Sequence, residues 1–385
     1  MLRLTRSLIG LTLSSLPALA FSADNVNLPN TLAMTAYGTG SAGYSQMVSI
    51  GNLLQNEYGT SVRILPGEND VSRMTPLRTG RVPLCACGIA SYYGSEGVLM
   101  FADENWGPQP IRVITTSIAS FGLGIAVAGD IDVESPEDLR GKRVSWIRGD
   151  DALNLGTEAY LAFGGLTWDD VEKVEFPGYG RAFEGIIADQ TDTGFTVSVA
   201  PPPQQLAASP RGIVWPELDP ADKDGWARLQ KVAPYFQPHT VTSAAGDVGK
   251  DKPWVGASYP YPILVANAST DDELAQSLIR VFNEDYDKYK DAAPGNAGYH
   301  LDNQNMKWVI PFHDAVVDYY KEIGHWTDDM QAHQDMLVER QRILKDTWDG
   351  YVANDPPSDE DAFAKGWMSA RAQALETAGM NPVFR

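Results

Sequence analysis

Positive charge, histidine and cysteine are all scarce in this chain, and each shortage closes off a class of function. Lys and Arg number 30 against 50 Asp and Glu, for a formal charge of -20 over 385 residues. A surface of that sign repels nucleic acid and anionic lipid head groups, and no basic cluster offsets it. Exposed charges are screened beyond about 8 Å at physiological salt. The charge therefore argues against a nucleic-acid partner but leaves a small anion in a cleft permissible. The histidines (His239, His300, His313, His325 and His333) are scattered without metal-ligand spacing, so neither a metal nor another cofactor is expected. The two cysteines form one Cys85-Ala86-Cys87 segment inside an apolar run, which rules out a disulfide framework of several bridges. Residues two apart on a strand are poorly placed for a disulfide. The pair is read as buried apolar core.

Long apolar runs are lacking too, apart from the first twenty residues. Arg3 and Arg6 precede an apolar stretch over 8–19, and Ala18-Leu19-Ala20 supplies small residues for cleavage. That order describes a secretory signal peptide spanning 1–20. The stretch is too short, and too interrupted by Ser14, Ser15 and Pro17, for a membrane anchor of about 20 apolar residues. An exported, periplasmic protein is expected. Losing Arg3 and Arg6 takes the formal charge from -20 to -22.

What is present is an α/β pattern. Strand-like runs at 31–37, 62–65, 82–89, 111–116 and 123–128 alternate with helical spacing at 44–58 and 71–78. A second alternating unit follows, with a strand ending near Trp146, helices at 153–163 and 182–188, and strands at 171–176 and 193–197. A strand at 259–267 and a helix at 271–290 return the chain. This alternation predicts parallel sheets covered on both faces. Length allows about two domains. The lobes are expected at 24–119 with 256–325, and at 120–255, with a helical C-terminal extension at 326–385. In such an architecture a ligand sits where the strand ends of both units face one another.

Gly38-Thr39-Gly40-Ser41-Ala42-Gly43 follows the first strand and opens a helix. Read alone, it suggests a dinucleotide-binding turn. The second strand, however, ends at Pro66-Gly67 without a ribose-binding acid, Glu68 lying too late. The same turn cradles any small anion on helix-start amides, with hydroxyls from Thr39 and Ser41. Arg73 could grip a ligand carboxylate bidentately, or could pair with Glu68 or Asp70. Aromatic residues gather near strand ends, among them Tyr37, Tyr44, Tyr92, Trp146, Tyr179, Tyr259 and Tyr261. Their amphipathic rings suit a cleft wall. Asn154, Gly156 and Thr157 open the first helix of the second unit, where capping alone would also explain them. Enzyme signatures are few: Thr39 spoils a nucleophile elbow at Ser41, though a triad assembled in space remains open.

From about Leu32 to Trp348 the chain resembles the solute receptors of TAXI-type TRAP transporters. The resemblance rests on Tyr37-Gly-Thr-Gly-Ser-Ala-Gly-Tyr44, Leu77-Arg-Thr-Gly-Arg81, Gly141-Lys-Arg-Val144, Gly165-Leu-Thr-Trp-Asp-Asp170, Pro311-Phe-His-Asp-Ala315 and Tyr319-Tyr-Lys-Glu-Ile-Gly324. It implies a type II periplasmic binding fold whose two hinged Rossmann-like lobes close on a carboxylate, dicarboxylate or amino acid. It also implies delivery to TRAP membrane permease subunits by a monomeric receptor without catalytic activity. Thr39, Gly40, Ser41 and Tyr44 would line one lobe, and Asn154, Gly156 and Thr157 the other. Departures fall in the same region. Asn69-Asp70 and Arg73 stand where many members carry a Gly-Ser run and an asparagine, and the second-lobe Gly-Ser-Gly-Thr pattern is reduced to Asn154-Leu-Gly-Thr157. The alternatives are a receptor that feeds a sensor, and an exported hydrolase or lyase on a similar scaffold.

Overall fold

The computed structural model describes residues 26–385, so the expected leader over 1–20 lies outside the described residues. The chain opens with β1 (Thr31–Tyr37), α1 (Ala42–Tyr58), β2 (Ser61–Gly67), α2 (Asp70–Arg78), β3 (Leu84–Ala86), α3 (Ala90–Glu96) and β4 (Ile111–Thr116). Local chemistry explains the boundaries. Leu32, Met34 and Ala36 alternate into the core along β1. Gly59, at φ +72°, ends α1 in the left-handed conformation, and its N–H caps the carbonyls of Gln55 and Leu54. Asn69 and Ser72 form a reciprocal capping box at the start of α2.

The chain then crosses to a second sheet. It forms β5 (Leu123–Ala128), β6 (Arg143–Ile147), α4 (Asp151–Phe163), β7 (Glu172–Phe176), α5 (Tyr179–Ile187), β8 (Thr193–Val197), α6 (Pro201–Ala208), β9 (Ile213–Val214), α7 (Lys223–Val232), β10 (Gln237–Val241) and β11 (Trp254–Ser258). It returns through β12 (Ile263–Asn267), α8 (Asp272–Glu284), α9 (Tyr286–Tyr289) and α10 (Asp314–Glu322). Two long helices follow, α11 (Asp328–Ala353) and α12 (Glu360–Thr377). Among the described residues no helix is long and apolar enough to cross a membrane.

The fold is thus α/β and two-lobed, with one sheet in each lobe. The first sheet runs β2-β1-β3-β12-β4 and the second β10-β11-β5-β8-β6-β7, with β9 beside β5. The expectation of parallel sheets needs correction, because both are mixed. β1 is parallel to β2 and β3, but β12 is antiparallel to β3 and β4, and β5 is antiparallel to β8 and β11. β5 and β12 are each fed directly from the other lobe, not through a helical crossover, so nothing obliges them to run parallel.

Some boundaries also move. The strand expected over 82–89 shrinks to β3, since Gly88 at φ +58° turns the backbone out of the ladder. The helix expected over 271–290 breaks at Asp285 into α8 and α9. The cysteine expectation is overturned: Cys85 and Cys87 are joined as a disulfide across Ala86, with their Cα atoms 5.2 Å apart. Two residues of a regular strand would stand farther apart, but Cys87 has already left β3, which brings the pair within bridging range.

At the C-terminus, α11 and α12 form a hairpin over α3. Glu96, at the end of α3, is buried between two arginines of that hairpin. Its Oε1 accepts from Arg340 Nε at 2.6 Å, and its Oε2 pairs with Arg371. Trp367 Nε1 donates to the Gly97 carbonyl at 2.6 Å, and Phe384 lies against Tyr92 and Tyr93.

Candidate functional site

A cavity of about 610 Å³, mouth included, lies between the sheets. The first lobe lines it with Tyr37, with Gly38, Ser41 and Ala42 of the turn after β1, with Glu68 after β2, and with Arg73 on α2. The second lobe contributes Leu123 from β5, Asp150, Ala152 and Leu153 at the start of α4, Tyr179 from α5, and Phe195 to Val197 from β8. Tyr259 and Tyr261 belong to the segment that joins the lobes.

Arg73 is the centre of the polar network. It is 4% exposed, and one face of its guanidinium lies 4.5 Å from the Tyr37 ring centroid. Its Nη2 pairs with Asp70 and stands 3.8 Å from Asp150 Oδ2. Its Nε is buried without a partner, as is the hydroxyl of Tyr37. Burial works against the arginine's charge, but Asp70 and Asp150 more than offset it and hold its pKa above the ordinary value. Asp70 is fully buried, and its other oxygen, Oδ2, accepts from the Ala152 N–H in the other lobe at 2.8 Å. Asp150 caps α4, accepting from the Leu153 N–H at 3.0 Å.

Both carboxyls are held above the ordinary range by burial. For Asp70 the neighbouring Asp150 charge adds to that, and for Asp150 the value reaches about 6 in spite of Arg73. Burial also lifts the phenols of Tyr37 and Tyr259, so they stay neutral donors at physiological pH. Tyr179 and Thr196 hydroxyls bond each other at 2.6 Å along one wall.

Of the residues singled out from the sequence, Tyr37, Ser41, Arg73, Tyr179, Tyr259 and Tyr261 line this cavity. Ser41 does so while its Oγ caps α1, accepting from the Tyr44 N–H at 3.1 Å. The other residues lie elsewhere, which corrects their expected placement. Thr39 and Gly40 are exposed on the turn, outside the lining, and Tyr44 lies on a separate groove between α1 and β2. Tyr92 packs under Phe384 beside the Glu96 cluster. Trp146 meets Trp168 edge-on at 5.1 Å, with the Lys173 ammonium over its ring.

Asn154 staples α4 to β6, accepting from the Ile147 N–H at 2.8 Å and donating to its carbonyl at 2.7 Å. A side chain at Gly156 would strike the Phe195 ring, and the Thr157 hydroxyl bonds the Leu153 carbonyl within α4. These three pack the helix and do not line the cavity. Sequence reasoning missed Asp150 altogether and took Asp70 only as a surface partner for Arg73. An acid at a helix start reads as a cap, and only the meeting of the lobes gives these two a second role. Among the described residues no group of three or more His, Cys, Asp or Glu side chains is placed to hold a metal ion.

The model of the NMT1-like family matches residues 34–324, and the chain belongs to that family. Solved structures similar to this chain include the alkanesulfonate-binding protein SsuA from Xanthomonas axonopodis pv. citri bound to MOPS. It is 13% identical over 80% of this chain and 94% of that one, with a TM-score of 0.42. An ancestral arginine-binding protein bound to arginine is 13% identical over 70% and 100%, with a TM-score of 0.43. PhnD1 from Prochlorococcus marinus (MIT 9301) in complex with methylphosphonate is 10% identical over 78% and 100%, with a TM-score of 0.41.

Proposed function

We propose that this NMT1-like family member is an exported, periplasmic solute receptor that captures a small carboxylate-bearing solute between its lobes and hands it to the permease of a TRAP-type secondary transporter. In this reading the lobes comprise 24–119 with 256–325 and 120–255, and residues 326–385 extend the first lobe. They hinge on the segments that pass between the sheets, and the receptor acts as a monomer. Contacts to both lobes would then stabilise the closed form, as in any two-state closure.

One observation carries the reading: Arg73 lines a cavity that both lobes enclose, and its Nε is buried and unpartnered. A buried donor without an acceptor costs about 1–3 kcal/mol, and a ligand oxygen would relieve that cost. Tyr37, Ser41 and Tyr259 would complete the first wall, with Asp150, Tyr179 and Thr196 opposite. The histidines, the usual general bases, are absent from this lining, and the Ser41 hydroxyl is engaged as a cap.

The test is a thermal-shift screen of mature protein that has been unfolded and refolded to remove carried-over ligand. A solute binding only the folded state raises its stability by about 2.7 kcal/mol at a hundredfold excess over its dissociation constant. A hit recovered unchanged supports a receptor. A hit that is consumed points to an exported hydrolase or lyase, and no hit among small solutes overturns the reading.

A further inference from the structure

Two carboxyls stand against the one guanidinium of this site, and a third acid lies at its mouth. Arg73 is the basic side chain of the lining, and its Nη2 is already paired with Asp70 and lies 3.8 Å from Asp150. Glu68 adds a third acid at the mouth. Its carboxylate lies so close over Gly38 that a Cβ there would come within 2.6 Å of Oε2, and its own Cβ is 3.7 Å from where a Cβ of Gly178 would stand. Glu68 thus spans the entry from the first lobe's glycine turn to the start of α5 in the second. It is exposed, so its charge faces the opening. Even with one proton shared by Asp70 and Asp150, the two remaining acid charges outnumber the single guanidinium.

The remaining walls point the same way. Tyr179, Phe195, Tyr259 and Tyr261 present aromatic rings to the cavity, and ring faces attract cations. A dicarboxylate would bring two negative charges into a partly desolvated space that is already negative. Like charges under those conditions repel strongly. The unpartnered Arg73 Nε still provides for one carboxylate oxygen.

We infer that the ligand carries a positively charged nitrogen seated among Glu68, Asp150 and the aromatic walls, and that its net charge is zero or positive: a zwitterionic amino acid or related amine, not a dicarboxylate. This rests on the receptor reading and narrows its substrate class.

The experiment compares matched pairs on refolded protein by calorimetry. The proteinogenic amino acids and small aliphatic and quaternary amines are set against the corresponding deaminated carboxylic acids, and against succinate and glutarate. An amine-bearing compound should bind at least about tenfold more tightly than its deaminated partner, the scale of one charge-assisted hydrogen bond. In Glu68→Gln, an exposed site where folding is not at stake, that ratio should fall several-fold while the deaminated acid binds no worse. A dicarboxylate or deaminated acid that binds as well as its amino counterpart overturns the inference and leaves the receptor reading standing. Binding by no compound of either class overturns both.

Discussion

Asp70 joins the two lobes: one of its oxygens is paired with Arg73 on its own helix, while the other accepts a 2.8 Å hydrogen bond from the backbone N–H of Ala152 across the cleft. A single buried carboxyl therefore holds the cavity-lining guanidinium in place and ties the start of α4 to the first lobe. The site's charge balance and the closeness of the lobes are not independent.

Removing the guanidinium should therefore cost stability before any ligand is considered. Arg73→Ala leaves two buried acids without a counter-ion, and the loss should be about 3–5 kcal/mol in urea unfolding of the ligand-free protein. The Asp70→Asn, Arg73→Ala double variant should lose less than the sum of the singles. A single-variant loss below about 1 kcal/mol would show that the pair is not desolvated.

The raised carboxyls give a pH dependence of definite sign. Asp150 titrates near 6 when folded, above its ordinary value, because burial disfavours the charged form. Its protonation contributes stability that is complete below the ordinary carboxylate pKa and is lost as pH rises through about 6. Asp70 acts in the same direction. His239, whose pKa burial lowers, acts oppositely, losing stability as pH falls. The informative quantity is thus the difference between parent and Asp150→Asn, asparagine being an equally good helix cap. As pH rises from about 4 to 7, the parent should lose on the order of 2–3 kcal/mol relative to the variant. A constant difference would refute the assignment.

A second tie across the cleft can be cut while Asp70 and Asp150 themselves are kept. Asp151 Oδ2 accepts from the Met100 N–H at 2.9 Å. Asp151→Ala should reduce the closed population of ligand-free protein about tenfold or more, the worth of a charge-assisted bond. Small-angle scattering should show a larger radius of gyration while circular dichroism stays the same. Superimposable scattering curves would mean that this bond does not hold the lobes together.

Glu96 should be decisive for the C-terminal hairpin. Glu96→Gln leaves Arg340 and Arg371 facing each other without a counter-ion, and burial already lowers the pKa of Arg371. The local loss should be about 3–5 kcal/mol. It should appear as faster proteolysis in the 354–359 connection between α11 and α12. Unchanged cleavage would place the anchor elsewhere, with Trp367 as the next candidate.

The elements that read clearly from the sequence are those whose signal is local. β1, β4, β5 and β8 are mostly buried strands rich in apolar and β-branched residues, and the turns at Gly59 and Asn69 carry their own capping chemistry. β10 (Gln237–Val241) escaped notice because it is a mostly exposed edge strand containing Pro238 and His239, paired only through β11. At the site, Tyr37 and Arg73 stood out by residue type and position. Asp150 did not, because a capping aspartate is ordinary in one lobe and becomes part of a charge cluster only when the other lobe is brought against it. Asn154, Gly156 and Thr157 misled for the converse reason: small and polar residues near a helix start serve packing as readily as binding.

β12 enters the first sheet between β3 and β4, although it is made after the whole of the second lobe. While the chain is still emerging, that sheet is two separate pieces with a slot at its centre. The second lobe, contiguous from β5 to β11, has all its strands first and can fold as a unit. The first lobe must wait for a strand of high sequence separation, and such long-range pairing is slow. A chain arranged this way keeps its first sheet open until Asn267 of its 385 residues has been made, after every strand of the second sheet is already in hand.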